Sequence, residues 1–302
     1  MDIPERFDGR TLVAIMVALL TWSSAYAAIA YTLPYFSPGE VALARLAFGA
    51  VCFAVLAKVT HVALPARRDW LRVALLGITG LTVYHLCLNY AETQIASGTA
   101  AILIALVPAA TAAVSAMWMR ERLSLRTWIG FGIALVGTVL VVLASGQRVD
   151  TNPMALWVLV CVMATAVYFV GLKPLFARSS TLGVTAGTFC AAAVAALPFG
   201  WRLPQAVVEA PWPPLLALLW LGIAPTVVGY LAWNMAVQRT SASRVSSFLY
   251  LSPPIALLIG WVWLHEVPHA LILVGGAITV GGVMLANWRH PPTAGIVVTA
   301  GT

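Results

Sequence analysis

Nine stretches of this sequence run for about 18 residues or more without an Asp, Glu, Lys or Arg, which is the length a helix needs to cross a lipid bilayer. The chain of 302 residues is 61% hydrophobic and 9% charged, whereas roughly a quarter of the residues of a soluble domain are charged. Such long apolar runs exclude an ordinary soluble globule. The stretches lie between Arg10 and Glu40, Arg72 and Glu92, Glu92 and Arg120, Arg126 and Arg148, Asp150 and Lys173, Arg178 and Arg202, Glu209 and Arg239, Arg244 and Glu266, and from Val267 to Trp288.

A tenth apolar stretch, at 41–57, is interrupted only by Arg45. The side chain of Arg45 can reach back to the lipid headgroups or face the protein interior, because it stands only five residues after Glu40. The first stretch contains Ala25-Tyr26-Ala27, a motif like a signal-peptide cleavage site, but its apolar run is longer than that of a usual signal sequence, so we expect it to be retained. The sequence therefore predicts an all-α, multi-pass protein of ten transmembrane helices in the lipid bilayer of the cytoplasmic (inner) membrane.

Lys and Arg fall almost entirely on one side of the predicted bundle when the N-terminus is placed inside. Cytoplasmic loops hold the excess of these residues, so both termini are predicted to be cytoplasmic. The net charge of +7 is then a signal of topology, and no nucleic-acid partner is expected. The cytoplasmic residues are Arg6, Arg10, Lys58, Arg67, Arg68, Arg72, Arg120, Arg122, Arg126, Lys173, Arg178, Arg239, Arg244 and Arg289, against Arg148 and Arg202 on the other side.

The sequence repeats itself at a shift of 145 residues, which superposes the third to fifth predicted helices on the eighth to tenth. The repeat divides the chain into five-helix halves at 1–147 and 148–290, followed by a cytoplasmic tail at 291–302. An odd number of crossings per half predicts inverted topology, which is typical of secondary transporters. The matched positions are Leu76-Gly77-Ile78 with Leu221-Gly222-Ile223, Asn89 with Asn234, Pro108 with Pro253, Trp118 with Trp263, Glu121 with Glu266, Gly130 with Gly275, and Gly137 with Gly282.

The order of short motifs in both halves resembles the EamA-type drug/metabolite transporter superfamily, including its YddG-like exporters of aromatic amino acids and related metabolites. Each half carries N-x-A, then a mid-helix proline, then W-x-x-E, and ends in a glycine-rich helix. The resemblance implies a central cavity surrounded by the first, third, fourth, sixth, eighth and ninth helices. It also implies export of amino acids, most of all aromatic or apolar ones, without a cofactor.

Aromatic and polar residues of these helices are the candidates for a substrate cavity. Each aromatic residue can equally serve ordinary packing or an interfacial belt. Asn89 and Asn234 can equally join helices by hydrogen bonds, and Arg45, if inward, can meet a substrate carboxylate. The cavity candidates are Trp22, Tyr26, Tyr84, His85, Leu88, Asn89, Tyr168, Tyr230, Trp233, Asn234 and Phe248.

Proline and glycine residues indicate where helices bend and where they pack closely. Pro108 and Pro253 are predicted in mid-span, as gating hinges or static kinks. Seven glycines of the fifth and tenth helices are predicted to allow close packing, which makes these helices scaffold or contacts of a homodimer. The seven are Gly130, Gly132, Gly137, Gly275, Gly276, Gly281 and Gly282.

The charges inside the predicted spans limit both cargo and mechanism. One Arg and no mid-span acid favour a neutral or zwitterionic metabolite, although a drug/cation or nucleotide-sugar carrier remains the alternative. The absence of a mid-span carboxylate favours facilitated movement over proton coupling. His265-Glu266-Val267-Pro268-His269 matches the H-E-x-x-H pattern of zinc proteases, but Pro268 would break the required helix. We therefore expect neither an enzyme nor a metal site, with an intramembrane metalloprotease as the remote alternative.

Overall fold

The computed structural model describes residues 8–95, 100, 103–120, 123–144, 153–255 and 270–287, in which every regular element is a helix and there is no strand. Eight helices of this described part are long and apolar enough to cross a membrane. A short helix, Leu203–Glu209, lies between two of them. The helices are labelled α1 (Gly9–Thr32), α2 (Pro38–Val59), α3 (Arg67–Glu92), α4 (Val107–Trp118), α5 (Leu125–Ala144), α6 (Ala155–Phe176), α7 (Thr181–Phe199), α8 (Trp212–Arg239), α9 (Ala242–Ser247 with a 3-10 turn at Phe248–Leu251) and α10 (Ala270–Asn287).

The remaining two predicted spans are only partly covered by the described residues. Helix α4 has 12 residues, which is too short to cross a bilayer alone. Helix α9 is followed by helical residues 252–255, and the rest of its predicted span lies outside the described residues. The H-E-x-x-H segment at 265–269, Glu121 and Trp263 lie outside them as well. Where the structure does describe the chain, no cluster of His, Cys, Asp or Glu is suited to a metal ion.

Two helices begin at polar caps that the sequence places just before the apolar runs. The Asp8 side chain accepts hydrogen bonds from the hydroxyl and backbone N–H of Thr11, which hold the pKa of Asp8 below its ordinary value. At the start of α2, Ser37 N–H donates to the Glu40 carboxylate at 2.7 Å, and Glu40 N–H donates to the Ser37 hydroxyl at 3.3 Å. This reciprocal capping box, with Pro38 in the first turn, fixes where α2 begins.

The equivalent helices α3 and α8 both widen into π-helix at matching positions. In α3 the π-helical segment is Ile78–Val83, and in α8 it is Gly222–Gly229. Pro225 has no N–H to donate, which favours the altered register in α8. The Leu-Gly-Ile repeat therefore marks a shared backbone irregularity, and such segments often occur at functional sites.

The two repeat-equivalent prolines follow breaks in their helices and do not stand in the middle of a continuous helix. Pro108 is in the first turn of α4, after a turn at residues 105–106. Pro253 follows the 3-10 turn Phe248–Leu251, which the 145-residue shift places opposite residues 103–106. The predicted mid-helix position is thus wrong in detail, because each proline begins a new helical segment, where its missing N–H leaves no hydrogen bond unmade.

Helices α5 and α10 pack closely because glycines of both face each other. A Cβ atom added at Gly130 would lie 2.5 Å from the backbone nitrogen of Ala286, and one at Gly137 would lie 2.5 Å from that of Thr279. Residues later in α5 contact residues earlier in α10, so the two equivalent helices are antiparallel. Gly275 and Gly282 share this interface, whereas there is room for a Cβ at Gly132, Gly276 and Gly281, so these three are not required for the packing of α5 on α10.

Enlarging Gly282 is expected to destabilise the fold, whereas the same change at Gly281 is not. A Cβ at Gly282 would overlap the backbone of Ala134, while one at Gly281 meets no atom within 4 Å. We expect Gly282→Leu to lower the free energy of unfolding by about 1–3 kcal/mol, as overpacking does. Thermal unfolding of both variants in detergent measures the difference, and equal melting temperatures for Gly281→Leu and Gly282→Leu would contradict the packing described.

Helices of one half pack against helices of the other, and each such contact has a counterpart between the repeat-equivalent helices. Helix α1 packs on α8 and α6 packs on α3, which are equivalent pairs under the repeat. Helices α2 and α7 also pack together. An added Cβ at Gly39 would overlap Phe199, while one at Gly49 would lie 2.6 Å from Phe189, so α2 and α7 are antiparallel like α5 and α10. The centre of the molecule is therefore built from α1, α3, α6 and α8, with residues of both halves.

Candidate functional site

An aromatic cluster fills the centre of the helix bundle, with rings from both halves. Trp22 of α1 lies 5.3 Å from Tyr230 and 4.9 Å from Trp233, both in α8, as measured between ring centroids. Tyr168 of α6 lies 6.5 Å from Tyr230, and His85 of α3 also lies 6.5 Å from Tyr230. The structure thus brings five predicted cavity residues, Tyr230 among them, into one cluster, with the edge-on or tilted rings that aromatic groups favour.

The π-helical segment of α8 shapes this cluster directly. The indole nitrogen of Trp22 donates to the carbonyl of Pro225 at 2.8 Å. A Cβ at Gly229 would lie 2.7 Å from that indole nitrogen, so a side chain at position 229 would displace Trp22. The backbone irregularity and the glycine together let α1 approach α8 closely, and they fix the orientation of Trp22.

Arg45 points into the protein and does not reach the headgroups. Its side chain is buried, and its Nε donates to the hydroxyl of Thr226 at 3.3 Å. That hydroxyl in turn donates to the carbonyl of Leu221 at 2.7 Å, within the π-helical part of α8. Arg45 interacts electrostatically with Tyr84 and Tyr230. The one basic residue inside a predicted span is therefore held between the halves beside the aromatic cluster.

One face of α3 carries three polar side chains at helical spacing, His85, Asn89 and Glu92. Both ring nitrogens of His85, the amide oxygen of Asn89 and both carboxylate oxygens of Glu92 are buried, with no hydrogen-bond partner among the described residues. Buried polar groups of native proteins rarely lack partners, and those that do often belong to a functional site. The repeat places Tyr230, Asn234 and Val237 opposite these residues, so the two halves are chemically unequal here.

Asn89 and Asn234 join helices in equivalent ways. The amide nitrogen of Asn89 donates to the carbonyl of Pro38 at 3.0 Å, which ties α3 to α2. The amide nitrogen of Asn234 donates to the hydroxyl of Thr185 at 2.9 Å, which ties α8 to α7. Both residues therefore have the interhelical role that the sequence allowed, while both amide oxygens have no protein partner in the described part of the chain.

The other predicted site residues lie at the margins. Tyr26 interacts electrostatically with Glu92, whereas Leu88 packs in a neighbouring cluster with Cys161. Phe248 is partly buried between the cluster that contains Tyr250 and the one that contains Trp233. Sequence reasoning missed Glu92, because it served there only as the boundary between two apolar runs. The helical spacing to His85 and Asn89 was the available signal.

Comparison with known sequences gives the origin of the repeat. A sequence model of the EamA-like transporter family matches residues 9–143 and again residues 152–288. The chain belongs to this family. This EamA-like transporter is thus a multi-pass membrane protein in which each half carries one copy of the family domain.

Curated relatives of this EamA-like transporter extend over almost the whole chain. It is 34% identical over 282 residues to a probable terminal-alkyne amino-acid exporter of Streptantibioticus cattleyicolor, covering 93% of this chain and 94% of the relative. It is 30% identical over 270 residues to the uncharacterized transporter YdfC of Bacillus subtilis, covering 89% of this chain and 88% of the relative. An uncharacterized inner membrane transporter, YedA of Escherichia coli, is 26% identical over 280 residues, with coverage of 86% and 89%.

A solved structure shares the fold. One crystal structure superposes with a TM-score of 0.72 over 92% of this chain and 97% of that chain, at 22% sequence identity. The arrangement of helices is therefore one that an experimental structure also shows.

Proposed function

We propose that this protein exports amino acids, above all aromatic or apolar ones, and related small metabolites across the cytoplasmic membrane. The observation that carries the proposal is the central aromatic cluster, which is bordered by the buried Arg45 and is mostly apolar with few polar groups. The relative named as a probable amino-acid exporter supports the same class of cargo. The protein is then a carrier and not an enzyme.

Alternating access between two inverted halves is the proposed mechanism. The antiparallel pairing of equivalent helices, α2 with α7 and α5 with α10, supports inverted topology. In this arrangement ten helices cross the membrane, both termini are cytoplasmic, and the pairs Asp8–Arg239 and Asp69–Arg178 join the halves at the cytoplasmic end, at 3.3 and 2.9 Å. The breaks before Pro108 and Pro253 are the proposed hinges, because a helix that is already interrupted bends at little cost.

The buried charges favour a neutral or zwitterionic cargo over the alternatives. A nucleotide sugar would bring several negative charges to a site with one buried Arg, and unbalanced charge is expensive away from water. A cationic drug would have no carboxylate to balance the charge of Arg45. Uptake into proteoliposomes of labelled amino acids, nucleotide sugars and cationic drugs decides between these classes; uptake of a drug or nucleotide sugar without any amino acid would overturn the proposal.

Transport is expected to proceed without a proton gradient. His85 is the titratable group of the central rings, and Glu92 is a single buried carboxylate two turns further along α3, so no chain of carboxylates extends through the described helices. Proteoliposomes with the same pH on both sides should therefore accumulate labelled amino acid to equilibrium at about the rate seen with a gradient. Strict dependence of uptake on an imposed proton gradient would contradict facilitated movement.

A further inference from the structure

Glu92 is a buried carboxylate without a partner. Both of its oxygens are inaccessible to solvent, and none of the described residues donates a hydrogen bond to them. Removing an ionised carboxylate from water is costly unless another group neutralises and hydrogen-bonds it. A donor that arrives from outside the protein would satisfy this carboxylate, and a substrate ammonium group has the required charge and geometry.

Arg45 supplies the charge opposite to that of Glu92. The two side chains interact electrostatically, yet they form no ion pair within 4.0 Å. Among the described residues, Arg45 makes a hydrogen bond only through its Nε, to Thr226, so the two terminal nitrogens of its guanidinium are left for a ligand. These nitrogens suit a carboxylate, which a guanidinium binds with two parallel hydrogen bonds.

We propose that Glu92 and Arg45 form a zwitterion subsite, in which Glu92 binds the ammonium group of an α-amino acid and Arg45 binds its carboxylate. This inference rests on the proposed function and adds the residue that selects the ammonium group. The amino-acid side chain then points toward Trp22 and Tyr230 in the central cluster. Because Val237 stands opposite Glu92 in the repeat, the C-terminal half has no carboxylate at the equivalent position.

The side chains around Glu92 and Arg45 are neutral. The net charge of the substrate therefore decides whether it binds. Tyr26 of α1 and Cys161 of α6 interact with Glu92, and Tyr84 and His85 interact with Arg45. No second carboxylate faces the pair among these described neighbours. A zwitterion leaves the site with zero net charge, whereas a cation or an anion leaves one unbalanced charge in a region of low dielectric.

Competition on the wild-type protein tests the subsite without any substitution. Proteoliposomes take up labelled phenylalanine in the presence of unlabelled phenylalanine, N-acetylphenylalanine or phenylalanine amide. Each analogue lacks one charge of the zwitterion, so we expect each to compete at least about 30-fold more weakly than phenylalanine, the effect of leaving a buried charge unpaired. Equal competition by N-acetylphenylalanine would overturn the role of Glu92, with the proposed function intact; absence of uptake of every amino acid would overturn both proposals.

The Glu92→Gln variant tests whether Glu92 is the residue that selects the substrate ammonium group. It should reduce the preference for phenylalanine over N-acetylphenylalanine from about 30-fold to less than about 3-fold, because the ammonium no longer meets a charged partner. Glu209→Gln is the matched control, since Glu209 is exposed at the end of a short surface helix, and it should keep the wild-type preference. An unchanged preference in a monodisperse Glu92→Gln protein would overturn the assignment, and if this variant does not fold, the wild-type competition still decides.

Discussion

Replacing Arg45 with Gln is expected to lower phenylalanine uptake by about 30-fold or more at subsaturating substrate. Truncating one partner of a buried charge pair costs about 2–5 kcal/mol, and here both Glu92 and the substrate carboxylate lose their counter-charge. Initial rates of uptake into proteoliposomes measure the effect. Gel filtration and thermal unfolding show whether the variant is folded.

Two further variants separate the charge of Arg45 from its shape and from general effects. Arg45→Lys keeps the charge but loses the paired donors, so its uptake should lie between that of wild type and Arg45→Gln. Arg72→Gln removes an exposed Arg near the beginning of α3 and should transport like wild type. Uptake by folded Arg45→Gln within about 3-fold of wild type would show that this residue does not bind substrate.

Replacing Trp233 with Ala is expected to be the most destabilising change in the central cluster. Trp233 is fully buried, and its ring centroid lies 4.9 Å from that of Trp22 and 5.0 Å from that of Phe169. Removing so large a buried side chain leaves a cavity and lowers the free energy of unfolding by about 3–5 kcal/mol. The midpoint of thermal unfolding in detergent reports the loss.

Trp212→Ala is the matched control for that prediction. Trp212 is 71% exposed at the beginning of α8, so its removal should change the unfolding midpoint little. A Trp233→Ala variant as stable as Trp212→Ala would contradict the packing of the cluster, because it would mean that no well-packed contact was lost.

The repeat could be recognised from sequence because its landmarks are chemically distinctive. Asn89 and Asn234 matched across 145 residues, and the structure gives them equivalent interhelical hydrogen bonds. Several residues around Tyr230 could be chosen because a cavity for an amphipathic metabolite is expected to be lined by aromatic side chains with few polar groups. Such residues identify which helices of the two halves are equivalent. The equivalence then indicates which helices can pack against each other.

Other features depended on contacts that linear patterns do not contain. The inward position of Arg45 depends on Thr226, which lies 181 residues away. Glu92 looked like a span boundary because a charge count cannot distinguish a helix end in solvent from one whose carboxylate is buried in the bundle. The break before Pro108 was also unpredictable, since proline is compatible with a kink within a helix and with the first turn of a new one.

Counterflow tests the central claim, that this chain is an alternating-access carrier of amino acids, most directly. Proteoliposomes are loaded with unlabelled phenylalanine and diluted into a trace of labelled phenylalanine at equal pH on both sides. A carrier that returns with cargo bound should produce a transient accumulation of label above the equilibrium level, which liposomes loaded with buffer alone should not show. Label that only rises to equilibrium, or does not enter, would contradict the account.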